Sequence, residues 1–184
     1  MARTPPVTRE SIPEEHRATF DEYIKDRGGV PDGGPGSVLL NAPEVAKRAL
    51  GLAGYLRGET SLSPRIRELA MLVTARENDC QFIWYAHAAA GRRAGLSDAL
   101  ANNLRDKRPL TGISAQESAV VEFGQEYFRT RRVSQATFDA ALSEFGVRGL
   151  AELTSLMGYY ALLAFNINAF EMLPEGGEEA LLPV

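Results

Sequence analysis

The sequence SPRIRELAMLVTARENDCQFIWYAHAAAGRRAG, residues 63–95, contains two apolar helical patterns in succession. The Ser63-Pro pair is typical of a helix start, because a serine side chain caps free backbone N–H groups and proline fits the first turn. Gly95 is suited to end the second helix in a left-handed conformation. The pattern predicts one helix over 63–78 and another over 79–95. We expect both in the core and beside any pocket.

Three side chains in this segment form a candidate active site. Cys80 and His87 are seven residues apart, so on a helix they share nearly the same face. Glu68 lies twelve residues before Cys80 and reaches the same region if the two helices pack together. An imidazole titrates near neutral pH and can give and take a proton within one turnover. These residues are therefore a candidate site for acid–base chemistry centred on His87.

Each of the three residues also has a purely structural interpretation. His87 is surrounded by alanines and can be a core histidine. Glu68 has arginines close to it in sequence and can form surface ion pairs of little energetic value. A thiolate at Cys80 is favoured by a helix amino terminus, but a lone cysteine is also a common small buried side chain. The residues alone leave these alternatives open.

The same segment resembles the carboxymuconolactone decarboxylase and alkylhydroperoxidase D-like superfamily. Its peroxidase branch has a glutamate, a Cys-x-x-Cys twelve positions later, and a histidine four residues beyond the second cysteine. Glu68, Cys80 and His87 fit these spacings, but Ile83 occupies the position of the second cysteine. Aromatic residues before the histidine, such as Trp84, are typical of the decarboxylase branch. The resemblance extends over roughly residues 37–173 and favours that branch.

The resemblance implies an all-α, alkylhydroperoxidase D-like fold of about six to eight helices. It also implies a homo-oligomer, a trimer or hexamer, and catalysis without a cofactor. The catalytic candidates are His87, Glu68 and Cys80. The substrate-binding candidates are the aromatic and amide side chains near this helix, near the first proline motif and on the last helix: Trp84, Tyr85, Asn41, Tyr159 and Asn166.

The function that the resemblance implies is decarboxylase-like. A small carboxylated unsaturated lactone, or a related catabolic intermediate, loses carbon dioxide, and His87 protonates the enolate-like product. One alternative is a peroxidase relative that uses Cys80 with an external thiol. Another is a protein that binds a small ligand without turnover. The scaffold of such a family is shared more widely than its chemistry.

The rest of the chain predicts further helices and no sheet, because no segment alternates polar and apolar residues between hairpin turns. The helix starts are capping side chains, with a capping box predicted at Ser11 and at Ser114 and a simple cap at Asn41. The predicted helices run from Ser11 to Asp26, Asn41 to Arg57, Ser97 to Asp106, Ser114 to Thr130, Ser134 to Phe145 and Arg148 to Leu173.

The 184 residues predict a single domain. Residues 1–10 are polar and contain two prolines, so we expect a flexible tail. Residues 28–37, rich in glycine and proline, predict a loop without regular structure. An acidic tail is predicted over 174–184.

Composition excludes several classes of function. The net charge of −4 gives no broad basic surface for nucleic acid. The longest apolar runs are too short to span a bilayer, and the amino-terminal sequence MARTPPVTRE lacks a signal-like apolar core. A single cysteine fits a reducing compartment, so we expect a cytoplasmic protein. Two distant histidines and one cysteine predict no metal site.

Overall fold

The computed structural model describes residues 3–174 and 181–183, and in this part of the chain the regular structure is entirely helical. The all-α prediction is therefore confirmed. A short 3-10 turn at Glu14–His16 precedes eight α-helices: α1 (Arg17–Arg27), α2 (Gly34–Leu39), α3 (Pro43–Gly58), α4 (Pro64–Glu77), α5 (Gln81–Arg93), α6 (Asp98–Arg105), α7 (Ala115–Thr130) and α8 (Gln135–Ala169).

Helix α4 lies at the centre of the molecule and packs against α5, α7 and α8. From Leu69 to Arg76 every residue of α4 is buried. A helix that is apolar on all sides is stable only when other helices surround it. The segment 63–95 thus provides the central helix of the core and, in α5, one of its neighbours.

Four of the eight α-helices begin with the predicted capping chemistry. The side chains of Ser63, Ser97, Ser114 and Ser134 each accept a hydrogen bond from a backbone N–H in the first turn of the helix that follows. Ser114 forms a full capping box with Glu117. These polar side chains satisfy backbone donors that the helix itself leaves free.

Two predicted caps are wrong. Ser11 does not cap a helix: its hydroxyl bonds within a turn to the backbone of Thr8, and α1 begins only at Arg17. The Asn41 side chain does not cap α3 either, since its amide donates to the backbone oxygens of Ser37 and Val38 at the end of α2.

The glycine- and proline-rich segment 28–37 is not a loop throughout. Its second half enters the short helix α2, with proline in the first turn. The helix forms because its last turn is apolar and can be buried: Val38 and Leu39 are largely enclosed and Leu40 is 0% exposed. Gly34 permits a close approach, because a Cβ atom there would lie 2.8 Å from the ring of Phe82.

The first residues that the structure describes are packed on the body, unlike the flexible tail that the sequence predicts. Val7 is buried, and the backbone N–H of Arg3 donates to the Phe170 carbonyl at 3.0 Å. At the other end, Leu182 is buried and exchanges two hydrogen bonds with the side chain of Gln81. The rest of the predicted acidic tail, residues 175–180 and 184, lies outside the described residues.

Helix α8 contains a sharp kink where the sequence predicts a break between two helices. Gly146 has φ 64° and ψ 176°, a backbone conformation that is strained for residues with a side chain. Beyond the kink, residues 153–170 include no charged side chain. By length and composition α8 resembles a membrane span, but half of its most apolar window is buried, as in the core helix of a soluble protein.

Candidate active site

The structure brings Glu68 on α4 into contact with His87 on α5. The Glu68 Oε2 atom lies 2.8 Å from His87 Nδ1. Gly91, one turn after His87, allows the helices to approach here, because a Cβ atom at this position would lie 2.8 Å from Leu96 and 3.7 Å from the Glu68 Cβ atom. The contact thus depends on a small residue as well as on the two polar ones.

The hydrogen bond determines what each His87 nitrogen can do. A carboxylate only accepts hydrogen bonds, so Nδ1 carries the hydrogen and donates it to Glu68. The other nitrogen, Nε2, has no hydrogen-bond partner among residues 3–174 and 181–183. The buried polar atoms without a partner in that part of the chain are Thr60 Oγ1 and Arg76 Nε, so Nε2 is not fully enclosed. Nε2 therefore keeps some contact with solvent.

The exposure of the pair fits a shallow reactive site. The His87 side chain is 11% exposed and that of Glu68 is 19% exposed. A polar pair in these surroundings keeps some contact with solvent, while the attraction between the two groups is screened less than at the surface. The geometry is that of an imidazole whose orientation is fixed by a carboxylate.

Tyr160 on α8 forms one wall of the site. Its ring meets the His87 ring edge-on, with centroids 5.1 Å apart and an angle of 79°. Burial raises the pKa of Tyr160 to about 12, so its phenol keeps its proton at neutral pH. The Tyr160 oxygen accepts a hydrogen bond of 2.9 Å from Nε of Arg57, in the last turn of α3.

Sequence reasoning did not select Tyr160 or Arg57. The tyrosine predicted on α8 is the neighbouring Tyr159. It is half-buried, donates from its hydroxyl to the Ala49 carbonyl at 3.3 Å, and meets the edge of the Tyr160 ring. Consecutive helical residues point about 100° apart, so only one of the two tyrosines can face α5. The sequence contained no signal that paired Arg57 with either tyrosine.

Cys80 lies in a very different environment from His87. It is the N-cap residue of α5, it is 0% exposed, and its backbone is extended rather than helical. Burial raises the pKa of its thiol, which opposes the effect of the helix amino terminus. Seven residues at 1.5 Å each put it about 10 Å from His87 along the helix axis. The structure thus places a protonated thiol in the core.

The remaining predicted binding residues are distributed around the helices. Trp84 is buried in the core one turn before His87, whereas Tyr85 is 37% exposed. Asn166 donates its amide to the Leu162 carbonyl, one turn earlier in α8, at 2.9 Å. The amides of Asn166 and Asn41 are therefore both bonded to nearby backbone oxygens.

Two cavities formed by the described residues lie away from the Glu68–His87 pair. One of about 620 Å³ lies between the amino-terminal segment, the residues before α2 and the end of α8, and Val7 and Met172 are among its lining residues. Another of about 370 Å³ adjoins Asp79 and Ile167. Within the described parts of the chain, no three histidine, cysteine or acidic side chains are close enough to hold a metal ion.

Comparisons with known proteins identify related sequences and folds. Residues 43–125 match the sequence model of the carboxymuconolactone decarboxylase family. This segment includes Glu68, Cys80 and His87. No curated protein sequence matches the chain.

Several solved structures share the fold. An uncharacterized peroxidase-related protein from Silicibacter sp. TM1040 is 20% identical, with a TM-score of 0.70 over 99% of this chain and 96% of that one. An uncharacterized peroxidase-related protein with an alkylhydroperoxidase AhpD core, from Ralstonia eutropha JMP134, is 19% identical, with a TM-score of 0.70 over 98% and 95%. A Cys-to-Ala variant of the debrominase Bmp8, in complex with 2,3,4-tribromopyrrole, is 11% identical, with a TM-score of 0.67 over 96% and 95%. At these identities the likeness shows the fold alone, which is alkylhydroperoxidase D-like, as predicted.

Proposed function

Because the chain belongs to the carboxymuconolactone decarboxylase and alkylhydroperoxidase D-like superfamily, we propose that it is a decarboxylase-like enzyme that transfers protons through His87. The observation that carries this proposal is the 2.8 Å contact between Glu68 Oε2 and His87 Nδ1, which leaves Nε2 free. The substrate is a small carboxylated unsaturated lactone or a related compound. The reaction needs no cofactor and no reactive thiol.

In the proposed reaction, the bond between the lactone ring and its carboxylate breaks, and carbon dioxide leaves. The electron pair of that bond moves into the ring and onto the lactone carbonyl, which gives an enolate-like anion. His87, protonated on Nε2, donates this proton to a ring carbon. Glu68 stabilises the imidazolium before the transfer, and a proton from solvent converts the imidazole back to the imidazolium afterwards. One proton is consumed for each carbon dioxide released.

The environment of Cys80 argues against the thiol peroxidase alternative. Thiol peroxidases react through the thiolate, and a buried thiol with a raised pKa supplies little of it. Ile83, where the peroxidase branch has its second cysteine, cannot resolve an oxidised Cys80. The third interpretation, ligand binding without turnover, uses the same residues and differs only in that the bound ligand does not react.

We also propose that copies of the chain associate through α8 and that the protein is cytoplasmic. Leu162 is 44% exposed and Phe165 is 78% exposed, and both lie in the charge-free segment 153–170. Exposed apolar surface of this kind is typical of contacts between proteins. A second copy offers the same charge-free segment, so the contact needs no charged partner groups. The single free cysteine suits a reducing compartment.

The test is carbon dioxide release from an unsaturated five-membered lactone that carries a carboxylate. We expect His87→Gln to lower the rate by about 10²- to 10⁴-fold without unfolding the protein, because glutamine keeps a similar size but cannot titrate. Glu68→Gln should lower the rate by less, and Cys80→Ser should leave it unchanged.

Three outcomes would contradict the proposal. A folded His87→Gln protein that releases carbon dioxide at the parental rate would show that the imidazole does not transfer the proton. Reduction of an alkyl hydroperoxide that depends on Cys80, with an external dithiol, would favour the peroxidase alternative. Binding of the lactone with no release of carbon dioxide would favour the ligand-binding alternative.

A further inference from the structure

Residues 181–183 form a short strap across the junction between α4 and α5. Leu182 in this strap is 4% exposed. Its backbone N–H donates to Oε1 of Gln81 at 2.6 Å, and Nε2 of Gln81 donates to the Leu182 carbonyl at 2.9 Å. Nη2 of Arg76 donates to the Pro183 carbonyl at 3.3 Å, which is long for a hydrogen bond of this type. The strap is thus held mainly by one enclosed side chain and by the amide of Gln81.

The two side chains that hold the strap lie on either side of Cys80 in the chain. Arg76 is in the last turn of α4, and Gln81 is the first residue of α5 and follows Cys80 directly. The Cys80 backbone N–H donates to the Ala75 carbonyl at 2.8 Å, so Cys80 lies where the two helices meet. Leu182 and Cys80 belong to the same apolar core. The strap therefore covers the part of the surface that is nearest to the thiol.

The strap is attached less firmly than the helices beneath it. Leu181 and Pro183, on either side of its buried leucine, are exposed. Among the described residues, no hydrogen bond joins the backbone of the strap to the backbone of the rest of the chain. In α4, by comparison, every residue from Leu69 to Arg76 is buried. Segments with few buried apolar contacts open while the rest of a protein stays folded, so we expect the strap to leave its site without unfolding of the helices.

Release of the strap would change the chemistry of the thiol. Burial raises the pKa of Cys80, whereas the backbone N–H groups of Ile83 and Phe82, at the start of α5, act in the opposite direction. Burial is the larger of these influences while the strap is docked. Once water reaches the thiol, the amino end of the helix favours the thiolate, which is the reactive form of cysteine.

We propose that the strap, residues 181–183, encloses Cys80 and controls its reactivity. While it is docked, it keeps water and reagents away from the thiol. When it leaves, the thiol becomes accessible at the amino end of α5 and the helices stay folded. The proposed decarboxylase reaction does not use Cys80, so this inference goes beyond that function and is tested separately from it.

The test is the rate at which iodoacetamide alkylates Cys80 in the folded protein, measured by mass spectrometry. Cys80 is the single cysteine of the chain, so every labelled molecule reports this thiol. We expect Leu182→Ala to raise the rate about 10- to 100-fold, because alanine loses most of the apolar contact and the strap is released more often. The matched control is Leu181→Ala, since this leucine is 42% exposed, and its rate should equal that of the parent.

A second variant weakens the strap without any change in its leucine. Gln81→Met keeps a side chain of similar length but removes both hydrogen bonds to the Leu182 backbone. We expect it to raise the alkylation rate about 10-fold, because a docked strap would then leave a backbone donor and an acceptor without partners. Circular dichroism shows whether each variant is folded. If Leu182→Ala does not fold, Gln81→Met decides the question, because it retains the leucine in the core.

Low concentrations of urea separate release of the strap from unfolding of the whole protein. Release exposes little surface, so the alkylation rate should change little with urea, whereas a route through global unfolding would become steeply faster. The inference is overturned if the folded strap variants are alkylated at the parental rate, or if Leu181→Ala has the same effect as Leu182→Ala. It is also overturned if the rates in the variants rise with urea as steeply as global unfolding does.

Discussion

At the scale of single residues, Glu68 and Cys80 show how one segment produces two opposite chemical environments. Glu68 keeps about a fifth of its side chain exposed and bonds to His87, so its charge has both solvent and a partner. Cys80 has neither, because it is enclosed at the start of α5. A negative charge on the thiol would be poorly solvated, which is why burial raises its pKa. This contrast supports our proposal that the reactive group of this segment is the imidazole.

The reactivity of Cys80 gives a direct prediction at this scale. We expect iodoacetamide to alkylate the native protein roughly 100-fold more slowly than the protein unfolded in urea at the same pH, since the native thiol is both enclosed and protonated. Mass spectrometry over time measures the two rates. The unfolded sample is the control, because it contains the same single thiol. Complete labelling of the native protein at the unfolded rate would mean that Cys80 is accessible and would reopen the thiol mechanism.

At the scale of the elements, one buried carboxylate joins α3, the connection between α3 and α4, and α8. Glu152 accepts hydrogen bonds from the Ser61 hydroxyl and backbone N–H, from the Tyr55 hydroxyl and from Arg148. These bonds, with that of the Ser61 hydroxyl the strongest influence, lower the pKa of Glu152 from the usual 4.5 to about 2. The folded structure thus stabilises the charged form of Glu152, next to the turn of α3 that carries Arg57.

Glu152 predicts how stability depends on pH. A lowered pKa in the folded state means that the stabilisation is fully present above about pH 4.5 and is lost as the pH falls through about 2. We expect Glu152→Gln to lower the free energy of unfolding at pH 7 by about 1–3 kcal/mol, because glutamine removes the charge and replaces one of the two acceptor oxygens with an NH2 donor that faces other donors. The variant should also lose less stability than the parent as the pH falls from about 5 to about 2.

Urea unfolding across this pH range measures both effects. The matched control is Glu122→Gln, since Glu122 is an exposed glutamate that accepts one hydrogen bond, from Ser118. Its pH dependence should follow that of the parent. Equal pH dependence in Glu152→Gln and the parent would show that this carboxylate does not contribute to acid stability.

The elements also show what could be predicted from the sequence. Ser63, Ser97 and Ser114 were identifiable as caps because capping is local, within three residues of the helix start. Ser11 and Asn41 have the same chemistry, but the structure uses them in turns, because the burial of neighbouring apolar residues decides where α1 and α3 begin. The Glu68–His87 contact followed from a spacing within one segment. The Tyr160–Arg57 contact depends on how α3 and α8 pack, and no local pattern encodes that.

At the scale of the whole molecule, the surface of α8 is unlike the rest of an acidic protein. The chain carries a net charge of −4, yet residues 153–170 contribute none of it. Copies of an acidic chain repel one another least where neither carries charge. This uncharged surface, with Phe165 at its most exposed point, is where we expect a second copy to bind.

The corresponding prediction concerns the assembly state. We expect the parental protein to sediment as an oligomer at micromolar concentration and Phe165→Glu to shift it toward the 20.0 kDa monomer. The change should not affect folding, because Phe165 is 78% exposed. Val147→Glu is a closely matched control, since Val147 is an apolar residue of the same helix with 77% exposure.

Analytical ultracentrifugation of the three proteins decides the question. A parental protein that is already monomeric, or a Phe165→Glu protein as oligomeric as Val147→Glu, would contradict association through this surface.

The Glu68–His87 and Arg57–Tyr160 contacts differ in sequence separation, and this has a consequence for how the chain folds. Glu68 and His87 are 19 residues apart, so their contact needs only the α4–α5 hairpin, which closes a short stretch of chain. Arg57 and Tyr160 are 103 residues apart, and they meet only when α8 docks. Local contacts form faster than distant ones, because closing a longer loop costs more entropy. We therefore expect the proton-transfer pair to assemble early, during synthesis, and the arginine beside it to acquire its orientation only in the last stage of folding.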